Sequence, residues 1–199
     1  SLLSVLFPAL EHLGPQSKFV GYIWFCQLPD GPAAELAGRF IDVSLDRLSQ
    51  PPIGELLQGG FTIGLSYLRI QRGKLVRGEG TVLAEGGTIS RRLLDRLATA
   101  VGLLVRCPDG DSSSWISFDT LAIQFKIDGP NLVLHTGFAN GAHDVLAYSK
   151  QGLVVQSPSV QPIPIAAIAN CLSSPTEIRV PASSEAVTLL RWFDLTVPK

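Results

Sequence analysis

The chain has 199 residues, and 46% of them are hydrophobic while only 17% are charged. Globular proteins usually carry about a quarter of charged residues, so the surplus apolar surface must be covered by the fold itself, by a partner or by an apolar ligand. The net charge of -1 argues against a nucleic-acid binder, which needs a basic excess. No apolar run approaches the roughly 18 residues that a membrane-spanning helix requires.

The sequence begins at Ser1, contains no methionine and shows neither an exact repeat nor a clear domain boundary. We therefore expect a single β-rich domain over residues 1–199 that is a processed or trimmed part of a longer chain. A signal peptide or a membrane anchor in the missing N-terminal segment is compatible with this interpretation.

The chain contains 19 glycines and 14 prolines, which separate short apolar runs. This pattern is typical of strands joined by turns, and it predicts strands at 18–28, 38–48, 59–73 and 74–87. In the third strand the apolar phase slips after Leu65, which predicts a bulge near Ser66 and Tyr67. The fourth strand ends in Glu85-Gly86-Gly87, which we interpret as a break before a helix.

An amphipathic helix is predicted over residues 89–104, with Ser90 as its N-cap. Its apolar stripe consists of Ile89, Leu93, Leu97, Val101 and Leu104. Three arginines on the opposite arc, Arg91, Arg92 and Arg96, are candidates for contact with an anionic group, because two of them lie at the helix end where an anion is favourable. The alternative is a plain solvated face.

The clearest strand is 120–128, in which Leu121, Ile123, Phe125 and Ile127 alternate with more polar residues. Turns at Asp128-Gly129-Pro130 and Asn140-Gly141 connect it to two further strands, so we predict an antiparallel meander. Short helices are predicted at 1–13, 164–172 and 183–193.

No catalytic, metal or cofactor signature is present. The histidines His12, His135 and His143 are scattered; His143 stands next to Asp144, but neighbouring strand residues point to opposite faces and cannot share a proton easily. The cysteines Cys26, Cys107 and Cys171 lack the short spacing of zinc or dithiol sites. We therefore predict a protein that is not an enzyme and that uses no metal or cofactor.

One arrangement of elements resembles a known family. The strands "FTIGLSYLRIQRGKL" and "VRGEGTVLAEGGTIS", the helix "RRLLDRLATAVGLL" and the strand pair "ISFDTLAIQFKIDGPNLVL" are similar to the C-terminal region of AsmA-like proteins of Gram-negative envelopes, including large planctomycete members. The segments "LPDGPAAELAGRFIDVSLDRL" and "VPASSEAVTLLRWFDLTVP" also look like planctomycete versions. The resemblance covers about residues 28–197.

This resemblance implies a grooved antiparallel sheet with an apolar concave side, tethered to a membrane and associated with envelope lipid homeostasis. It implies no catalytic residue. Together with the strand patterns it leads us to expect a mainly β fold: a curved, strongly twisted antiparallel sheet or half-barrel, with one amphipathic helix packed on its apolar face or plugging its open end.

From their phase we select six residues as candidates for contact with an apolar ligand: Ile63, Leu65, Leu121, Ile123, Phe125 and Ile127. The expected function is non-enzymatic binding of an apolar ligand or lipid in the cell envelope, in the periplasm or another extracytoplasmic space, with peripheral or tethered membrane association. An ordinary two-layer core gives the same apolar pattern. The alternative function is a structural or interaction subunit whose spare apolar surface meets a protein partner.

Overall fold

A computed structural model describes residues 16–29, 31–44, 56–72, 74–107, 113–138, 144–157 and 161–172. Within these ranges the chain forms eleven strands and two helices. The strands are β1 (Lys18–Leu28), β2 (Gly31–Ser44), β3 (Leu57–Gln58), β4 (Gly60–Gln71), β5 (Lys74–Ser90), β6 (Leu104–Arg106), β7 (Trp115–Asp128), β8 (Asn131–Thr136), β9 (Val145–Tyr148), β10 (Val154–Gln156) and β11 (Ile163–Pro164). The helices are α1 (Arg91–Val101) and α2 (Ile165–Leu172).

The strands belong to one antiparallel sheet with the order β1-β2-β4-β5-β7-β9-β10-β6. In addition, β3 pairs with β5, β8 with β7, and β11 with β8. The sheet is curved and is not closed into a barrel. The expected mainly β fold with a minor helical part is confirmed, and so is the short helix predicted at 164–172. The helices predicted at 1–13 and 183–193 lie outside the described residues.

The predicted bulge in β4 is confirmed. Leu65 pairs with Gly80 of β5 while Tyr67 pairs with Glu79, so Ser66 is the extra residue. An inserted residue turns the following side chains by one position, and Leu68 therefore returns to the face that Leu65 occupies. The extra residue Ser66 therefore explains why the apolar pattern changes phase after Leu65.

The predicted break at Glu85-Gly86-Gly87 is wrong, because β5 continues through both glycines to Ser90. The whole segment stays paired with β7, where Ile89 lies opposite Ile116 and the register does not shift. Gly86 has a φ of 85°, a conformation that glycine adopts without a steric penalty. Glycine therefore bends this strand rather than ending it.

The predicted meander is only partly correct. β7 and β8 form the expected hairpin, in which Asp128 pairs with Asn131. β9, however, pairs with β7, through Thr120 and Leu121, and β10 then pairs with β9. Strands β8 and β9 thus lie one after the other along the same side of the long strand β7.

Helix α1 begins after Ser90, whose hydroxyl accepts a hydrogen bond from the backbone N–H of Leu93 at 3.2 Å. The predicted cap is therefore confirmed. The helix ends at Gly102, which has the left-handed φ of 73° and donates its N–H to the Ala98 oxygen at 3.1 Å. The predicted bounds 89–104 are too wide, because Ile89 and Leu104 belong to strands β5 and β6.

Two leucines of α1 enter the same core as the sheet. Leu93 and Leu94 are buried together with Ile116 and Phe118 of β7. The neighbours of the helix are β5, β6 and also α2, so the sheet is not its only packing partner. Neither helix of the described ranges is long and apolar enough to cross a bilayer.

The cap gives a first testable expectation. Ser90→Ala should lower the free energy of unfolding by about 1 kcal/mol, because the buried N–H of Leu93 loses its acceptor. Ser117→Ala, at an exposed position of β7, should stay within about 0.5 kcal/mol of the wild type. Chemical denaturation of both variants measures the difference. Equal losses would show that the Ser90 hydroxyl does not cap the helix.

Candidate apolar binding face

Strand register brings the six predicted ligand contacts together on one face of the sheet. Ile63 of β4 and Ile123 of β7 both pair with Val82 of β5. In the same way Leu65 and Phe125 both pair with Gly80. Directly paired residues of an antiparallel sheet project to the same side. The other two candidates follow the same rows, with Leu121 opposite Ala84 and Ile127 opposite Gly78.

This surface continues onto the neighbouring strands. Ile63 pairs with Phe40 of β2, which pairs with Phe19 of β1. We call it the apolar face, and its larger side chains include Phe19, Ile23, Phe25, Leu36, Phe40, Phe61, Ile63, Leu65, Leu68, Val82, Leu121, Ile123, Phe125, Ile127, Leu132 and Leu134.

Burial varies across the apolar face. Leu65, Leu121 and Ile127 are buried, whereas Ile63, Ile123 and Phe125 are half-buried and pack against the edge of the core. The half-buried candidates of β4 and β7 therefore present apolar surface that remains accessible.

Glycines allow large side chains to lie close to the sheet on this face. The Cζ atom of Phe125 comes within 2.8 Å of the place where a Cβ of Gly80 would stand. The ring of Phe19 covers Gly21 in a similar way, at 2.8 Å. These rings occupy the space that a side chain at the glycine position would fill, so they lie close against the backbone and keep the surface apolar.

The opposite side of the sheet carries cross-strand ion pairs. Arg69 donates to Glu35 at 2.7 Å across β4 and β2, and Arg77 donates to Asp128 at 3.4 Å across β5 and β7. His135 lies on this side too, opposite Gln124. Such exposed pairs add little stability, but they identify the side of the sheet that faces water.

An open cleft of about 430 Å³ is lined by none of the candidate residues themselves. It is lined by Asp42, Gly60, Phe61, Thr62, Leu83, Ala84 and Glu85. Asp42 has a φ of 57° and lies where the β2–β4 register shifts. The cleft is of mixed polarity, unlike the apolar face.

The three arginines of α1 have different surroundings. Arg91 donates from Nε to the backbone oxygen of Ser113 at 3.3 Å, and Arg92 is exposed. Arg96 is half-buried and donates to the backbone oxygen of Cys171 in α2 at 3.0 Å. Arg96 thus joins two helices instead of lying on a plain solvated face. Contact of the three arginines with an anion stays a prediction.

A second hydrogen bond joins the same two residues: the Cys171 thiol donates to the backbone oxygen of Arg96 at 3.6 Å. Burial raises the pKa of the Cys171 thiol, while the charge of Arg96 acts in the opposite direction. The protonated thiol is the form that can donate this hydrogen bond, so the raised pKa suits a packing role.

Sequence reasoning missed a second exposed apolar surface. Val20, Tyr22 and Trp24 of β1 are each more than half exposed, on the side of the sheet opposite the apolar face. The rings of Tyr22 and Trp24 lie 4.3 Å apart. The available signal was that the segment 18–28 is apolar at both odd and even positions.

Within the described ranges, no group of three or more His, Cys, Asp or Glu side chains could hold a metal ion. Comparison of the chain with protein-family models, with curated proteins and with solved structures gave no match.

Proposed function

We propose that this chain is a non-enzymatic protein of the cell envelope, periplasmic or extracytoplasmic, that binds a lipid or another apolar ligand along the apolar face. One observation carries the proposal: six residues selected by phase from two separate segments align in neighbouring rows of one face, and three of them are half-buried. Accessible apolar area of this kind gains free energy when a ligand removes it from water.

The two-sided character of the sheet supports the same proposal. Ion pairs between β2 and β4 and between β5 and β7 lie on the opposite side, so over these central strands the extended accessible apolar surface for an acyl chain is on the apolar face. The resemblance to AsmA-like sequences supports the envelope location and the lipid class of ligand. In this proposal the membrane supplies the ligand, and the contact with it is peripheral or tethered.

A matched pair of variants in β7 tests the proposal. Ile123 lies on the apolar face and its neighbour Gln124 on the polar side. Ile123→Asn should weaken the binding of a fluorescent fatty acid about tenfold, because the carboxamide loses its water without gaining a hydrogen bond. Gln124→Asn should leave binding unchanged. Equal binding by both variants, with unchanged thermal melting, would place the ligand elsewhere.

Native mass spectrometry after gentle extraction separates the two functions. Co-purifying lipid, lost in Ile123→Asn, supports lipid binding. A stoichiometric protein partner without lipid would instead support the alternative, a structural or interaction subunit whose apolar surface meets another protein.

A further inference from the structure

The outer edge of β1 lacks the features that usually prevent sheets from joining. Among the described residues β1 lies at the end of the strand order and pairs only with β2. It pairs through eleven consecutive residues without a register shift, contains no proline, and carries a single charge, that of Lys18. Bulges, prolines, charges and shortness are the common protections of an edge strand.

The position of Pro32 shows which backbone groups of β1 face outward. Pro32 of β2 lies opposite Gln27, and its carbonyl accepts a hydrogen bond from Arg72 on the far side of β2. Gln27 and Pro32 are therefore a non-hydrogen-bonded pair, and such pairs alternate with hydrogen-bonded ones in an antiparallel ladder. It follows that the backbone N–H and C=O groups of alternate residues point to the open edge: Phe19, Gly21, Ile23, Phe25 and Gln27.

These five residues are arranged symmetrically about Ile23. An antiparallel second copy of β1, centred on the same residue, would pair Gly21 with Phe25 and Phe19 with Gln27, and Ile23 with itself. All five outward donors of each copy would then be satisfied at once. A two-fold contact of this kind is the commonest closed assembly of identical chains, because one surface serves both copies.

The exposed side chains suit the same register. Tyr22 would lie opposite Trp24 of the second copy in a non-hydrogen-bonded pair, where the strands approach most closely. Both aromatic residues are more than half exposed in the single chain. Lys18 would face Leu28 of the second copy, so the only charge of the strand meets no like charge.

We propose that two copies of this chain pair antiparallel through the open edges of β1, with the two-fold axis at Ile23, and form one continuous sheet. This interface does not depend on the proposed ligand. It uses the backbone edge of β1, a strand that carries none of the six candidate contacts, and its Tyr22–Trp24 contacts lie on the side of the sheet opposite the apolar face.

A proline at an outward position separates pairing from folding. Phe25→Pro removes an N–H that points to the open edge, so it should preserve the β1–β2 ladder and weaken the dimer at least about tenfold compared with Phe25→Ala, as sedimentation measures. The alanine control loses the same ring and keeps the N–H. Two outcomes would overturn the proposal. The first is a wild type that stays monomeric up to its solubility limit, as expected if another strand covers this edge. The second is a dimer that Phe25→Pro leaves intact.

A disulfide tests the register without disturbing the backbone. The proposed pairing places Val20 opposite Cys26 of the second copy, at a Cα separation of about 4.5 Å that a disulfide can span. Mild oxidation of Val20→Cys should give a covalent dimer in which peptide mapping joins the new thiol to Cys26. Lys18→Cys lies on the same side but about 7–8 Å from Cys26 of the second copy, and should cross-link poorly. Equal cross-linking of the two variants would contradict the register.

Discussion

Replacing Leu94 with alanine is expected to lower the free energy of unfolding by about 2–5 kcal/mol. Leu94 is 0% exposed and belongs to the core that α1 shares with the sheet. Truncation removes the transfer free energy of the lost methyl and methylene groups and leaves a cavity that a close-packed interior fills only in part. Urea denaturation monitored by far-UV circular dichroism measures this loss.

Leu104 provides the matched control, since it is the same residue type and is 61% exposed. Leu104→Ala should change the free energy of unfolding by no more than about 0.5 kcal/mol. If the loss at Leu94 did not exceed the loss at Leu104, the placement of α1 against the sheet would be wrong.

These two leucines also show how far the sequence predicted the helix. The four-residue spacing and the Ser90 cap identified α1 correctly, because both signals are local. Leu104 and Ile89 extend the apolar spacing at either end, yet they lie in strands. A hydrophobic residue continues the pattern whether it packs on a helix or on a strand, so the spacing alone cannot fix the two ends.

Pairing between distant segments explains the remaining differences. Gly86 and Gly87 indicate a break locally, but β7 pairs with β5 before and after them, and β3 pairs with the next residues, Thr88 and Ile89, so β5 stays extended to its end. The turns around β8 suggested that each strand would pair with the next, yet β9 pairs with β7 because β8 occupies only part of that long strand. Both the continuation of β5 and the pairing of β9 with β7 depend on distant segments, so the local sequence does not predict them.

For the apolar face, side-chain alternation predicts the phase of each strand but not the register between strands. Alternation assigned Leu121, Ile123, Phe125 and Ile127 to one side of their strand, and separately Ile63 and Leu65 to one side of theirs. Only the pairing of β5 with both β4 and β7 shows that the two sides coincide. The exposure of β1 escaped prediction for a related reason, since apolar residues do not reveal that their strand lies at an edge.

Replacing glycine by alanine is expected to change the free energy of unfolding in opposite directions at Gly80, which lies beneath Phe125, and at Gly60. Gly80→Ala should lower the free energy of unfolding by about 1–3 kcal/mol. A Cβ there would overlap the backbone oxygen of Gly64 and stand 2.8 Å from the Cζ atom of Phe125, so β4 or the aromatic ring must move. The cost falls on a backbone atom that cannot rotate away, and for that reason we expect little relief from side-chain rearrangement.

Gly60→Ala is the control, because no heavy atom lies within 4 Å of the position that its Cβ would occupy. Here the substitution should raise the free energy of unfolding by up to about 1 kcal/mol, since alanine restricts the unfolded chain more than glycine does. Both glycines lie in central strands, so β-sheet propensity cannot account for opposite signs. A destabilisation of similar size at both positions would mean that the close approach of β4, Gly80 and Phe125 is not what requires glycine on the apolar face.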